Sequence, residues 1–400
     1  MTLTLPAHSN QTFQWALPGN PGARPFDYLA ARPAALAAVP VLLDAQAAAA
    51  CHEATVAISV AEHSLAAHDP GVTHTITLAE AIASCLIDGH RTESTHLAAA
   101  SVRHSAPAVA RTVTTAADRL EAHLQASKRA VSLGSIALAY STPRRMASGH
   151  VAGAAYRSVQ TWRGGSDLWP RGADYVPPHP SQVAPAMDDL VEFASRTDVD
   201  PIAQAALVHA QVRSIEPFRG DTDRVARACM QGVLRARGVS SALAVPISAA
   251  LAANTVRYDS AWRSFRDGDG APMVEMVAQA ARRAARAAED AANRVAALPA
   301  QWRERARPRR HSAAAALIPV LLRHPVVNAT RVHELTGASI ASSYEAISRL
   351  AHAGVLTRVS PTRRGTAWAA LEVFDAAQEL ASHLAGLSTP RPRAGRPVAA

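Results

Sequence analysis

The spacing of apolar residues along the chain predicts a protein built mainly from α-helices. The segment of residues 77–95 shows this most clearly, since its apolar residues recur every three to four positions up to Gly89. Glycine is typical of a helix C-terminus because it adopts the left-handed backbone conformation without strain. The Ala/Arg-rich segment of residues 273–298 has the same pattern, and we expect its helix to end at Pro299.

The N-terminal part of the chain divides into three stretches. Residues 1–25 are polar and rich in turn formers, which predicts an extended arm. Residues 26–67 are rich in alanine and predicted to be helical, and residues 69–71, with the sequence Asp-Pro-Gly, are predicted to form a turn.

Composition adds size and charge to this picture. The chain has 400 residues with 48% hydrophobic content, enough to bury a large core in two or three domains. Its formal net charge of +9 comes largely from Arg-rich patches at residues 282–310, residues 358–364 and the C-terminal tail. Such local basic patches would suit an acidic partner.

The cysteines and the apolar runs indicate a cytoplasmic protein with no membrane partner. Cys51, Cys85 and Cys229 lie far apart, without metal-binding spacing and without a complete disulfide set, which favours a reducing compartment. The N-terminus lacks the charged and apolar regions of a signal peptide. The apolar run of residues 33–51 is interrupted by Pro40, among others, and is predicted to be a core helix rather than a membrane span.

The most informative stretch is residues 216–227, which read EPFRGDTDRVAR and open a helix that continues to about residue 237. It resembles the signature HPFx(D/E)GNGRxxR of the Fic (fido) family, with Pro217, Phe218, Arg224 and Arg227 at matching places. The resemblance implies an all-helical Fic fold with a β-hairpin flap. It also implies the family's reaction, in which AMP is transferred from ATP to a hydroxyl group of a target protein.

The positions that carry the family's chemistry differ in this chain. In the family the His is the general base, the acid holds Mg²⁺, and the Gly-Asn-Gly turn and the two Arg side chains bind phosphate. Here Glu216 replaces the His, Gly220 replaces the acid, and Asp221, Thr222 and Asp223 replace Gly-Asn-Gly.

These departures predict the loss of ordinary AMP transfer. Glutamate is a weaker base than histidine, since its ordinary pKa is about 4.3. Gly220 has no side chain to hold a metal, although the neighbouring Asp221 could hold one after a local shift. Asp221 and Asp223 add bulk and negative charge where phosphate approaches, and two unit charges about 4 Å apart interact by roughly 4 kcal/mol at an effective dielectric of about 20. Arg224 and Arg227 are retained as phosphate-binding residues, but they could pair with these acids instead.

A second segment, residues 150–193, resembles the flap of the same family. Arg157, Gln160, Trp162 and Gly164 match the flap pattern RxxQxWIG, while Arg163 stands where the family has Ile. In the family this hairpin lies over the active site and pairs through its main chain with an extended segment of the target protein. The resemblance therefore implies a target protein at the flap.

A third segment resembles the inhibitory motif (S/T)xxxE(G/N), with Ser84, Asp88 and Gly89 at the matching places. In the family the Glu of this helix pairs with the second signature Arg and blocks productive placement of the γ-phosphate. Asp88 is one methylene shorter than that Glu. Read without the family, the same residues describe a C-capped helix with an exposed Asp. His209, in the predicted helix of residues 202–214, is interpreted as structural.

Residues 312–380 predict a separate winged helix, which Fic proteins often carry at this end. Thr330 is predicted to cap a short helix that ends at Gly337, residues 340–353 form the recognition helix, and residues 366–370 form a strand after a basic loop. Winged helices bind DNA or other proteins. If the partner is DNA, residues that would project from the recognition helix are Ser339, Ser342, Ser343, Tyr344 and Arg349. Candidate phosphate contacts are Arg358, Arg363 and Arg364.

The sequence thus predicts a linear order of regions and leaves three functions open. The regions are an N-terminal helical region at residues 1–110, a Fic core at 111–298, a linker at 299–311, a winged helix at 312–386 and a tail at 387–400. The first function is a Fic-fold protein without ordinary AMP transfer that acts in binding or regulation. The alternatives are a transferase with altered chemistry that uses Glu216, and a DNA-binding regulator. The sequence does not indicate which cofactor is bound. ATP and Mg²⁺ are expected only if the site is still active. A homodimer is compatible with each of the three functions.

Overall fold

The computed structural model describes residues 3–16, 24–101, 106–127, 156–359 and 366–387. Helices account for most of these residues, as predicted. The helices are α1 Ala45–Ala66, α2 Pro70–Ile87, α3 Ser94–Ser101, α4 Ala108–Ala126, α5 Pro180–Ser195, α6 Pro201–Ile215, α7 Thr222–Ala236, α8 Ile247–Ala252, α9 Thr255–Arg266, α10 Ala271–Ala306, α11 Ala313–Leu317, α12 Ala329–Thr336, α13 Ile340–His352 and α14 Leu371–Leu384. The strands are β1 Ser9–Trp15, β2 Phe26–Arg32, β3 Val326–Val327, β4 Thr357–Arg358 and β5 Trp368–Ala369.

The chain divides into two compact units. Unit 1 comprises Met1–Val56, Arg119–Ser241 and Asn254–Gln279. Unit 2 comprises Ala57–Asp118, Ala242–Ala253 and Ala280–Ala400. Both units are assembled from separate stretches of sequence, and the linear region boundaries given above stay predictions.

Unit 1 is organised around α6, in which every residue after the first is buried. Asp200 caps this helix by accepting from the N–H groups of Ile202 and Ala203, and Pro201 occupies the first helical position. Helix α6 packs against α5 and α7. Its C-terminal residue is followed by Glu216, so the signature stretch begins in the interior of this unit.

A β-hairpin replaces part of the predicted N-terminal helix. Strands β1 and β2 pair antiparallel, with Ser9 opposite Arg32, and β2 buries Tyr28 on one face. Residues 27–30 alternate between exposed and buried, which is the period of a strand. The prediction of helix from residue 26 is therefore wrong, and the apolar run of residues 33–51 is helical only from Ala45 onward.

In unit 2, α2 packs against α8 and α14. Asp69 accepts from the N–H of Gly71, and Pro70 is the first helical residue, so the predicted turn at residues 69–71 is instead the start of this helix. Within the described residues, α2 is the one helix long and apolar enough to cross a bilayer, but 72% of it is buried inside the protein. That burial is typical of a core helix.

Helix α10 continues beyond its predicted end. Pro299 lies inside the helix, so the prediction that Pro299 ends it is wrong. A proline removes one helical hydrogen bond, but the turns that follow are held by Trp302. This side chain is fully buried in unit 2 and donates from Nε1 to Glu372 at 2.9 Å. The predicted linker therefore begins with helical residues.

The C-terminal part of unit 2 combines three helices with a small sheet. Strands β3, β5 and β4 form an antiparallel sheet in that order, and α13 packs against α11 and α12. Helix α12 is capped by Asn328, which accepts from the N–H of Arg331, rather than by the predicted Thr330. Gly337 ends α12 with a φ of 70°, and α13 follows as predicted. This order of helices and strands is compatible with a winged helix.

Candidate active site in unit 1

The loop between α6 and α7 carries the altered signature in an unusual backbone conformation. Glu216, Gly220 and Asp221 have φ values of 47°, 70° and 54°. Such left-handed values are uncommon for residues other than glycine, and they persist only where the surroundings fix them. The loop is therefore held by its contacts rather than by local preference.

Arg157 supplies much of that fixation from the flap segment. Its Nε donates to the carbonyl of Glu216 at 2.7 Å, and its backbone N–H donates to the carbonyl of Pro217 at 2.9 Å. Its guanidinium also donates to the carbonyls of Pro178 and Val159. Arg157 is buried, and burial lowers its pKa while the nearby Glu216 carboxylate opposes that effect. This residue ties the flap segment to the signature loop.

The other predicted flap residues shape the segment itself. Gln160 donates to the carbonyl of Pro177 at 2.9 Å, and Trp162 donates to the carbonyl of Ser166 at 2.6 Å. Gly164 has a φ of 73°. Within the described residues, the predicted hairpin appears as an isolated antiparallel bridge between residues 163 and 175 rather than as a pair of strands.

Arg163 joins two of the replaced signature positions. Its Nε donates to one carboxylate oxygen of Glu216, and Thr161 donates to the other at 3.1 Å. Its two terminal nitrogens donate to the two carboxylate oxygens of Asp223 at 3.0 and 2.8 Å. Bidentate pairs of this kind fix geometry as well as charge. The departure from the family pattern at residue 163 thus contacts two others, at residues 216 and 223.

Arg213 adds a second cation to Asp223. Its Nε lies 3.4 Å from Asp223 and its terminal nitrogen lies 2.6 Å from Asp259. The guanidinium is stacked over Trp262 at 4.4 Å and over Tyr258 at 4.7 Å from the ring centroids. These stacking contacts hold a buried arginine in place.

The charges of this cluster act on the ionisation of its members. Burial by itself would raise the pKa of Asp223, but the hydrogen bonds from Arg163 and the charges of Arg213, Arg163 and Arg227 outweigh it and hold that pKa well below its ordinary value. Burial would likewise lower the pKa of Arg163, but Asp223 and Glu216 raise it. Each partner is therefore held in its charged form.

The retained arginines lie on α7. Arg224 pairs with Asp221, which also lies 3.7 Å from Arg119. Arg227 is completely buried. Thr222 begins the helix and donates to the carbonyl of Phe218 at 3.3 Å. The predicted pairing of a signature arginine with a new acid is thus present for Arg224.

The residues of this site do not fit the ATP and Mg²⁺ of the family. Gly220 offers no ligand atom for a metal, and the carboxylates of Asp221 and Asp223 already pair with arginines. In the described part of the chain, no group of three or more His, Cys, Asp or Glu residues is placed to hold a metal ion.

His209 lies outside this chemistry. It is fully buried on α6 and its Nε2 lies 2.7 Å from the hydroxyl of Tyr258. Burial, reinforced by Arg213 and Arg227, lowers its pKa to about 3. A neutral, buried and hydrogen-bonded ring is what the structural interpretation predicts.

The inhibitory-like residues lie in unit 2. Ser84 is buried on α2, Asp88 is the residue at the helix C-cap, and Gly89 follows with a φ of 81°. Glu80, on the same helix, was missed by the sequence analysis. It is fully buried and accepts from the backbone and the hydroxyl of Ser248.

The predicted DNA contacts differ in exposure. Tyr344 is 57% exposed, Ser342 is half-buried, and Arg349 and Arg358 are exposed. Ser343 is fully buried and donates to the carbonyl of Ser339 at 2.9 Å, so the prediction that it projects from the helix is wrong. The reason is that Ser343 lies on the packed face of α13. Arg363 and Arg364 lie outside the described residues.

Comparisons with known proteins agree with the resemblance to the Fic family. Residues 135–234 match the model of the Fic/DOC family. The crystal structure of a Fic family protein from Desulfovibrio desulfuricans G20 is similar with a TM-score of 0.50 and 16% identity, over 83% of this chain and 97% of that chain. A fragment of Fic-1 from C. elegans is similar with a TM-score of 0.43 and 16% identity, over 62% of this chain and 74% of that chain.

No curated protein matches the sequence. The match over residues 135–234 and the fold of the first structure agree with the predicted Fic family. The predicted Fic family and the mostly helical Fic fold are confirmed, and the C-terminal winged helix stays a prediction.

Proposed function

We propose that this protein does not carry out ordinary AMP transfer and that its Fic domain acts in binding or regulation. The observation that carries the proposal is the contact of Arg163 with both Glu216 and Asp223. The side chain that departs from the flap pattern neutralises two of the three acids that depart from the signature. The centre is therefore rebuilt as an internal ion-pair cluster.

The first consequence concerns proton transfer. A general base needs a free lone pair within hydrogen-bond reach of the hydroxyl that it deprotonates. Both carboxylate oxygens of Glu216 already accept, one from Arg163 and one from Thr161. Each oxygen keeps a second lone pair, so these contacts do not block Glu216 outright; they fix its carboxylate in an ion pair with Arg163, which a target hydroxyl would have to approach.

The second consequence concerns phosphate. The sequence suggested that Asp221 and Asp223 would repel a nucleotide. Their contacts suggest competition instead, because Asp221 pairs with Arg224 and Asp223 pairs with Arg163 and Arg213. A phosphate would have to displace these carboxylates from cations they already contact.

Transfer can be tested directly with ATP labelled on the α-phosphate and a lysate that supplies targets. The proposal predicts no labelled protein above the background given by Glu216→Ala. Labelling that depends on Glu216 would favour the alternative, a transferase with altered chemistry. The variant Arg219→Ala is a suitable control for folding, because Arg219 is exposed in the same loop.

DNA binding is a second candidate function, favoured by the exposed part of α13. Ile340 and Tyr344 are 44% and 57% exposed at successive turns of this helix, and strands β4 and β5 flank the basic loop of residues 360–365. A winged helix inserts its exposed helix into a major groove and contacts phosphates with basic residues from the segment between its strands.

A titration of genomic DNA fragments at several salt concentrations tests this candidate. Each phosphate contact contributes about one unit to the slope of log affinity against log salt. Replacing Arg363 and Arg364 by Ala should reduce that slope by about two. A salt slope that stays unchanged in the double variant would exclude these residues as phosphate contacts.

We also propose a cytoplasmic location, since the three cysteines are free and buried.

A further inference from the structure

A groove of about 980 Å³ lies in unit 2, between the end of α10, the loop of residues 307–312 and helix α13. Its volume is at the upper end of the range for sites that bind small molecules. All the residues that line it belong to unit 2, whereas the altered signature belongs to unit 1. The groove is therefore separate from the candidate active site.

Cations and hydroxyl groups form much of the lining. Three guanidinium groups face the groove, from Arg305, Arg309 and Arg349, and Glu345 is the one acid that lines it. Two imidazoles and three serine hydroxyls complete the polar lining, from His311, His352, Ser312, Ser342 and Ser348. This set of donors suits a carboxylate or a phosphate.

The three arginines differ in how much of their charge is already used. Arg305 pairs with Glu372 at 2.6 Å. Arg349 lies 3.4 and 3.5 Å from two backbone carbonyls, and no acid among the described residues pairs with it. The side chain of Arg309 forms no hydrogen bond or ion pair with the described residues. Arg309 and Arg349 are thus the cations that an anion could neutralise.

Methyl groups form the rest of the lining. Six alanines line the groove, and three of them, Ala306, Ala314 and Ala346, are buried. A larger side chain at any of these places would fill the space. The deep part of the groove is therefore apolar, while the charged groups lie on exposed residues.

The loop that closes one side has a specific conformation. Arg307 and His311 have φ values of 41° and 63°, in the left-handed region that non-glycine residues rarely adopt. Its start and end are fixed by bonds from the N–H of Arg307 to the carbonyl of Arg303 and from the N–H of Ser312 to the carbonyl of Arg309. Backbone conformations of this kind cluster at ligand sites because they position side chains in advance.

We propose that this groove binds a small organic anion, with an apolar body against the alanines and a carboxylate or phosphate between Arg309 and Arg349. Charge alone would also suit the phosphates of duplex DNA. The concave shape and the buried apolar part favour a small ligand, since a duplex backbone offers no apolar group to fill them. The inference rests on neither of the functions proposed above.

The test is calorimetric titration of the full chain with phenyl phosphate, which has a flat apolar ring and a phosphate. Inorganic phosphate and a short DNA duplex are titrated in parallel. We expect saturable binding of phenyl phosphate and binding of inorganic phosphate weaker by about tenfold or more, because burial of the ring contributes to affinity.

Matched variants locate the binding. Arg309→Ala should weaken phenyl phosphate by about tenfold, the loss of one charge-assisted hydrogen bond. Arg310→Ala removes the same charge from the next residue, which does not line the groove, and should change affinity by less than about twofold. Ala313→Leu keeps every charge but fills part of the groove, and should also weaken binding about tenfold.

Three results would overturn the proposal. The first is the absence of saturable phenyl phosphate binding by the unaltered chain. The second is an equal effect of Arg309→Ala and Arg310→Ala. The third is binding of the duplex alone with loss in Arg309→Ala, which would assign the groove to backbone phosphates. Thermal melting of each variant shows whether it is folded.

Discussion

Replacing Arg163 by Ile, the residue that the resembled flap pattern has at this place, should destabilise the protein. The substitution removes the cation that contacts both Glu216 and Asp223. Asp223 keeps Arg213 at 3.4 Å, while Glu216 keeps only the hydroxyl of Thr161 at 3.1 Å. A carboxylate with 9% side-chain exposure would then lack its counterion.

The size of this effect follows from burial. Removing one partner of a buried ion pair costs about 3–5 kcal/mol, because the other charge is left without compensation. Arg163 and Asp223 retain 28% and 23% side-chain exposure, which screens part of the interaction. We therefore expect a loss of about 2–4 kcal/mol at neutral pH, or a melting temperature lower by about 5–15 °C for a unit of this size.

The assay is thermal unfolding of the full chain, with two comparisons. Arg219→Ile removes an exposed arginine from the signature loop and should change stability by less than about 0.5 kcal/mol. Adding Glu216→Gln and Asp223→Asn to Arg163→Ile removes the two carboxylate charges that Arg163 paired with, including the uncompensated charge of Glu216, and should recover at least half of the loss.

Two outcomes would refute this reasoning. One is an Arg163→Ile protein that melts within about 1 °C of the unaltered chain, which would mean that the ion pairs contribute almost nothing. The other is a triple variant no more stable than Arg163→Ile. In that case lost packing, rather than uncompensated charge, would cause the effect.

Three further predictions test other parts of the account. The folded-state pKa of Asp223 is held below its unfolded value of about 3.9, so its stabilisation is present above that pH and is lost as pH falls through the folded value. The stability of Asp223→Asn should therefore depend less steeply on pH in an acid titration. An unchanged slope would contradict the pairing. Gly165→Ala should lower the free energy of unfolding by about 2–4 kcal/mol, because its Cβ would lie 2.9 Å from the carbonyl oxygen of Gly172 at a φ of 74°. Gly172→Ala has open space around the new Cβ and should cost about 1 kcal/mol. Equal losses would contradict the close approach. Glu216→His should not restore AMP transfer in the labelled ATP assay, because Asp223 still pairs with Arg163 and Gly220 still offers no metal ligand. Labelled targets would show that only the His was missing.

Much of the helical architecture could be predicted from sequence, because caps and periodicity are local signals. Helix α13 and its neighbouring Gly337 illustrate this, since the glycine adopts the predicted left-handed conformation. Local signals predicted the wrong secondary structure where tertiary packing determines it. Strand β2 was predicted to be helical, and α10 passes through Pro299 because Trp302 is buried beyond it.

The sequence predicted which residues form the site but not which of them contact one another. The sequence identified Glu216, Asp221 and Asp223 as replaced positions and noted that Arg163 departs from the flap pattern. It did not connect these facts, because residues 163 and 223 lie 60 positions apart and charge pairing across such a distance has no local signature. The available signal was the simultaneous gain of one cation in the flap and three acids in the signature.

The central claim is that an internal ion-pair cluster has replaced the nucleotide site. Titration of the full chain with ATP and Mg²⁺ by calorimetry tests it most directly, with Arg309→Ala included to identify heat that arises from the groove in unit 2. The account predicts no saturable binding that depends on Arg224 or Arg227. Tight, saturable binding that disappears in Arg224→Ala would contradict it.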